Sequence, residues 1–363
     1  MHGGNFSDAL KGIASLFLWN DQSIRQNIVA GKQGMNIKPP PALANYWPVS
    51  KHCLMKMDGK ITFDLYTIPP GKQHYKEPVL LVHKNSMLSN VKDVMIAASG
   101  FENFYIKKED RKNLHHLVEN FIGMLIEDPL IPLREKSSII YNCAANVMKD
   151  IFADPRSGEN LKRTEDITGN IINFALSDQA SILSLLQLIS HDYYTFTHCL
   201  NMAVYSIGLW QTIFPATQDC LREFALGCIL HDIGKSQIAD AILNKPGKLT
   251  TDEFAVMKKH PEYGYKLMAG SIPAISLDVI LHHHEKYDGK GYPSGLKGDR
   301  ISDYAKIAAI TDVYDALTTK RAYAEARDPF KAMRTMKEEM VGHFEQDKFI
   351  SFIYLLSGGK LSP

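Results

Sequence analysis

The chain has 363 residues, 45% of them hydrophobic and 22% charged, and carries a net charge of +1. This is globular composition with room for more than one core; it excludes a strongly basic nucleic-acid or membrane-surface binder. No apolar run approaches the ~20 residues that a membrane-spanning helix needs.

The opening "MHGGNFSDALKGIASLFLW" has an apolar patch but neither a basic leader nor a small-residue cleavage site, so no secretory signal is expected. Cys53, Cys143, Cys199, Cys220 and Cys228 are odd in number and scattered. They read as reduced thiols of a cytoplasmic protein rather than a disulfide framework.

Taken in chain order, residues 1–39 form a helical and extended segment, with one amphipathic helix and a glycine-containing break within 1–33, and the proline-rich run "KPPPALANYW" (38–47) is extended. Residues 40–125 read as a small α+β regulatory domain. In "MKMDGKITFDLY" the pair Asp58-Gly59 separates two alternating runs, which is a hairpin signal. "PVLLVHK" is a candidate buried strand and "ENFYIKKED" a further strand, leading into a helix from about Asp110 to Leu125. His115 and His116 in that helix read as a solvated pair. Residues 126–189 form a helical linker that begins a bundle. Residues 190–363 form an all-α domain, since long 3.6-period segments such as "HCLNMAVYSIGLWQTIF" replace any strand pattern. Two helix starts are marked there, by Thr250 with Glu253 as a capping box and by Ser302 as an N-cap. The fold class is therefore mainly α, with a C-terminal helical bundle and a smaller N-terminal α+β domain.

Of the 14 histidines, seven lie between residues 191 and 284. His231 and Asp232 stand together where the apolar helix "REFALGCIL" ends. Burying one ionisable group costs several kcal/mol unless it is paired or metal-bound, and a metal satisfies both at once. His198 lies on or beside an apolar helix face, and His260 ends "EFAVMKKH". His282, His283 and His284 follow one another after an apolar turn. Helix neighbours are ~100° apart, so three cannot converge on one point. Asp312 sits inside a buried stripe, and Asp315, at i+3, reads as nearer its exposed edge. Six or more nitrogen and oxygen donors are too many for one catalytic ion with an open position. They suit two ions sharing a bridging carboxylate. Imidazole with carboxylate fits iron, manganese, zinc or nickel.

"HDIGK" (231–235), "KPGKLT" (245–250), "HHEKYDGKGYP" (283–293), "GLKGDRI" (295–301) and "DVYDALTTKRAY" (312–323) resemble, in order, the motifs of the HD-GYP family within the HD phosphohydrolase superfamily. The resemblance spans roughly residues 190–355. It implies an HD-type all-α catalytic domain that hydrolyses cyclic di-GMP to linear pGpG, with GMP as an open further product. It implies the metal ligands His198, His231, Asp232, His260, His283, His284 and Asp312, and leaves His282 outside. Asp232 becomes the bridging and catalytic carboxylate. Lys235 becomes a catalytic and phosphate-binding cation, Arg321 a second phosphate contact, and Tyr292 a rim or partner contact. Asp288 and Glu285 are expected to fix the 286–300 loop rather than to bind metal. The cofactor expected is a pair of divalent ions, iron first, with manganese, zinc or nickel as alternatives. The loop is a candidate protein-partner surface and a homodimer is an open assembly; no nucleic-acid polymer is expected as a partner.

Two departures from the family pattern stand out. Ala322 and Ala324 replace the proline and lysine usual in the arginine motif. Tyr194, four residues before His198, stands where some members carry a glutamate linked to a third metal. The readings left open are a phosphodiesterase for another cyclic dinucleotide, such as cyclic GMP-AMP, and a receptor that binds without turnover.

Overall fold

A computed structural model of the chain describes residues 43, 45–49, 51–68, 78–97, 104–189, 195–214, 218–319 and 326–357. The expected N-terminal helix, most of the proline-rich run, Tyr194, Arg321, Ala322 and Ala324 lie outside the described residues. Two compact units divide between Ile139 and Ile140.

In the first unit, strands β1 (Tyr46–Val49), β2 (Leu65–Thr67), β3 (Val79–Val82) and β4 (Phe104–Lys107) form an antiparallel sheet in the order β1-β4-β2-β3. Tyr46 pairs with Lys107, Tyr66 with Tyr105, and Thr67 with Val79. Helices α1 (Lys51–Lys56), α2 (Leu88–Ala97) and α3 (Arg111–Glu127) cover it. Leu54, Met57, Ile61, Phe63, Leu88, Phe104 and Leu125 form the core between these layers.

The expected hairpin at Asp58-Gly59 does not form. The run before it is the short helix α1, which buries Leu54, and the chain has left the helix at Met57, itself fully buried. Gly59 takes φ +92° and turns the chain, and Lys60 makes only an isolated bridge to Met87. The strand read from "PVLLVHK" is β3, but Val79 and Leu80 are exposed rather than buried. The strand and helix expected from "ENFYIKKED" onward are β4 and α3.

Helix α4 (Leu133–Ala153) runs across the division. The second unit continues with α5 (Gly158–Ser177), α6 (Gln179–Leu188), α7 (Thr195–Ile213), α8 (Gln218–Leu230), α9 (Asp240–Leu243), α10 (Thr251–Met257), α11 (His260–Met268), α12 (Ala274–His282), α13 (Asp303–Thr318), α14 (Pro329–Glu338) and α15 (Gln346–Leu356). No strand occurs among its described residues. Both expected helix starts are present: Thr250 and Glu253 close a capping box on α10, and Ser302 caps α13.

Helices α7 and α13 pack together and are buried on nearly every side, from Thr197 to Trp210 in one and Ala305 to Asp312 in the other. Apolar neighbours surround them: Tyr205 meets Tyr314 edge-on at 5.2 Å between ring centroids, and Trp210 stacks on Tyr304 at 5.0 Å. Helix α8 packs on α7 and α12. Any polar side chain at the facing ends of these helices must find a partner inside the unit. No helix among the described residues is long and apolar enough to cross a membrane.

Candidate metal centre

Every described candidate in the expected ligand set comes to one place. His198 comes from α7, and His231 with Asp232 from the end of α8. His260 opens α11, His283 and His284 follow α12, and Asp312 lies on α13. They fall into two triads, His198–His231–Asp232 and His260–His283–His284, each with one donor atom per residue within 4.8 Å of the others.

Asp232 links the triads. Its Oδ1 lies 3.2 Å from Nε2 of His260, while its Oδ2 lies 3.4 Å from Nε2 of His231 and 3.8 Å from Nε2 of His198. Asp312 spans them as well, with Oδ1 3.0 Å from His198 Nε2 and Oδ2 3.6 Å from His284 Nδ1. His282 is turned away: its Nδ1 lies 2.8 Å from Asp278 Oδ1.

The local fold supplies this convergence. After His231-Asp232 the chain tightens into a 3-10 turn, Ile233–Gln237, against the start of α11. A Cβ placed on Gly234 would stand 2.0 Å from the His260 carbonyl oxygen and 2.4 Å from the Gly264 nitrogen. Only glycine permits that approach, and the approach brings Asp232 to His260. Pro261 sits at the first turn of α11, where its missing N–H costs nothing.

Backbone carbonyls fix three of the rings. Nδ1 of His231 lies 2.8 Å from Cys228 O, that of His260 2.8 Å from Met257 O, and that of His283 3.0 Å from Ile280 O. A carbonyl only accepts, so each Nδ1 carries the hydrogen and each Nε2 presents a lone pair to the site. The Nε2 atoms of His260 and His283 then stand 3.2 Å apart, lone pair to lone pair. Nε2 of His231 is buried and makes no hydrogen bond. His198, His231, Asp232, His260 and His283 are each no more than 1% exposed. Such an arrangement is unfavourable empty, since each orphaned buried polar group costs ~1–3 kcal/mol. Divalent cations relieve it, and the donor set fits them.

The electrostatics follow from burial and mutual proximity. Burial pushes the Asp232 carboxyl up, but Lys235, His231 and His260 outweigh it and hold the group well below the usual carboxylate range. Asp312 is likewise raised by burial and lowered further by His198 and His284. Burial first, then the neighbouring histidines, holds His283 well below its ordinary value. Burial takes His284 down to about 3 despite the opposing pull of Asp312. Asp232 and Asp312 are thus held anionic and His283 and His284 neutral near neutral pH, the protonation states a metal requires of them.

Around this centre, Lys235 Nζ rests 2.5 Å from Asp232 Oδ2. The Tyr292 ring lies 4.7 Å from that of His284. Glu285, buried, accepts from Ser294 N at 2.7 Å and Leu296 N at 3.0 Å, which pins the 286–300 loop beside the site. Asp288 accepts from Lys290 N within the same loop. Asp315 is not near an exposed edge, as its spacing suggested. It is fully buried and bonded to His198 and Asn201, because α13 has no exposed side at that turn. Its position three residues after Asp312 was the signal available in the sequence.

Residues 215–347 match the HD domain family model. Over 221 residues the chain is 35% identical to the cyclic di-GMP phosphodiesterase PA4108 of Pseudomonas aeruginosa, a match covering 60% of this chain and 53% of that protein. Over 122 residues it is 44% identical to the 3'3'-cGAMP-specific phosphodiesterase 2 of Vibrio cholerae, covering 32% of this chain and 23% of that protein. The chain thus spans about half of the first relative and about a quarter of the second. Among solved structures, the HDG"Y"P protein Bd1817 of Bdellovibrio bacteriovorus is similar in fold, with a TM-score of 0.60 at 19% identity, covering 86% of this chain and 100% of that one.

Proposed function

The chain carries an HD domain in residues 215–347, and from that premise we propose that it is a metal-dependent phosphodiesterase opening the 3′–5′ phosphodiester of cyclic di-GMP to linear pGpG. The observation that carries the reading is the pair of donor triads joined by the two oxygens of one carboxylate, Asp232, a member of the first. Two divalent ions held there would supply Lewis-acid stabilisation of the phosphate oxygens and activation of a water.

The protein's own part is positional. His198 and His231 would hold one ion and His260, His283 and His284 the other, with Asp232 offering an oxygen to each side and Asp312 standing beside both. Iron is the ion we favour for these imidazole and carboxylate donors, with manganese, zinc and nickel as alternatives. Lys235 is poised to exchange its contact with Asp232 for a substrate phosphate, and Arg321 supplies a second, forked phosphate contact. Tyr292 lines the rim, and the loop that Glu285 pins offers a surface to a protein partner or to a second copy of the chain. The enzyme works in the cytoplasm.

A second reading, a preference for 3'3'-cyclic GMP-AMP, is favoured by the similarity to a phosphodiesterase named for that nucleotide. Incubating the metal-loaded protein with cyclic di-GMP, 3'3'-cyclic GMP-AMP and cyclic di-AMP, and resolving the products by chromatography, separates the two. Fastest conversion of cyclic di-GMP supports the main reading. Faster conversion of cyclic GMP-AMP supports the second, and binding without turnover of any of them overturns both.

A further inference from the structure

Four buried histidines face the centre, and three of them rest their outer nitrogen on a backbone carbonyl. His198 does not. Its Nδ1 lies 2.7 Å from Oδ2 of Asp315, which is fully buried on α13. The other oxygen of that carboxylate accepts from Asn201 Nδ2 at 3.0 Å, one turn along α7 from His198. The Asn201 side-chain oxygen accepts in turn from the Tyr141 hydroxyl at 2.8 Å. Asn201 is as buried as the aspartate.

We propose that Asp315 is a positioning residue for the reaction, holding His198 with its hydrogen on Nδ1 and its Nε2 lone pair aimed at the cation, and that Asn201 and Tyr141 hold Asp315 in turn. The inference rests on the metal reading above. A carbonyl behind an imidazole fixes its tautomer; a carboxylate fixes the tautomer and also places negative charge behind the ring, which raises the basicity of the nitrogen that binds. His198 is the ring for which the extra charge matters. Its Nε2 stands 3.0 Å from Asp312 and 3.8 Å from Asp232, so it must bind a cation that two carboxylates already share.

The chain of contacts is also directional. Tyr141 donates to the Asn201 oxygen, which leaves the Asn201 amide as a donor, and the amide occupies the Asp315 oxygen that His198 does not use. Asp315 is thereby held in one orientation. A purely structural role would ask only that Asp315 tie α13 to α7, and it would not specify which nitrogen of His198 carries the hydrogen.

The test uses the full chain and zinc as a diamagnetic probe. Titration of the wild type and of Asp315→Asn gives metal affinity, and 1H–15N spectra of the zinc-loaded forms report the protonated nitrogen of His198. The expected result is a wild-type Nδ1–H resonance that is deshielded and slow to exchange, with Nε2 bound to zinc. Asp315→Asn should lower zinc affinity by about 10–100-fold, move that resonance upfield and leave the far-ultraviolet dichroism unchanged. Asn201→Leu should produce a smaller loss in the same direction. Affinity within twofold in Asp315→Asn, or zinc on Nδ1 of His198 in the wild type, would overturn the positioning role while leaving the metal centre intact. A wild type that binds no zinc, iron or manganese would overturn the metal reading itself and this inference with it. The wild-type spectrum decides the matter even where a variant fails to fold.

Discussion

Gly234→Ala adds one methyl group and should cost far more than a surface methyl would. The new Cβ would stand 2.0 Å from the His260 carbonyl oxygen and 2.4 Å from the Gly264 nitrogen, both backbone atoms that cannot rotate away. Ordinary contact begins near 3.4 Å, so the turn carrying Asp232 and the start of α11 carrying His260 must part by 3.4 − 2.0 = 1.4 Å. Overpacking of this kind costs about 1–3 kcal/mol, which in a unit of this size lowers Tm by roughly 2–4 °C per kcal/mol. The functional effect should be larger than the stability effect. Asp232 Oδ1 and His260 Nε2 stand 3.2 Å apart, while metal–ligand distances tolerate only ~0.2 Å and a misplacement of ~1 Å costs about 100-fold in rate. We therefore expect Gly234→Ala to fold with a modestly lower Tm, to lose at least one of its two ions by elemental analysis, and to hydrolyse cyclic di-GMP at least ~100-fold more slowly. A Gly234→Ala protein with full metal content and wild-type turnover would refute the idea that this close approach assembles the centre.

Other expectations follow from the same geometry. His282→Ala should retain metal and most activity, since His282 pairs with Asp278, whereas His283→Ala and His284→Ala should each lose metal; equal loss in all three would mean that the wrong pair was assigned. Glu285→Gln leaves one of two backbone donors facing an amide. Amide exchange at Ser294 or Leu296 should quicken about 10-fold or more, and unchanged exchange would argue that the loop is held elsewhere. In the metal-free protein, burial keeps His283 and His284 neutral where an unfolded chain binds protons. Stability is then full above pH ~6.5 and falls as pH drops below it, with the depressed Asp232 and Asp312 extending the loss to lower pH. Thermal melts of metal-free protein from pH ~7.5 down to ~5 should show a falling Tm, and a rising one would contradict this assignment.

How far the site could be read in the sequence depended on how local each signal was. His231-Asp232, the three consecutive histidines and the loop after them are contiguous motifs, and the structure gathers His231, Asp232, His283 and His284 of these into the two triads. Thr250 and Ser302 announced their helices because capping is a matter of three residues. Asp315 shows the opposite case. Period alone assigns it an exposed edge, but α13 is surrounded, and burial there depends on α7, more than a hundred residues earlier. Likewise, Asp58-Gly59 looks like a hairpin turn, but the run before it is the short helix α1, with Leu54 and then Met57 buried in the core. That choice is made by the core of the unit and not by the dipeptide. Gly234 carries no signal of its role in the sequence, because its closeness to His260 is a tertiary fact.

Asp232 is the residue on which the account turns, with one oxygen toward each triad. The most direct measurement is metal content by elemental analysis, taken with cyclic di-GMP hydrolysis on the same samples, for the wild type and Asp232→Ala. The account predicts about two ions per chain and production of pGpG in the wild type, with loss of both metal and product in Asp232→Ala while the helical dichroism is kept. An Asp232→Ala protein that retains two ions and wild-type turnover would contradict it.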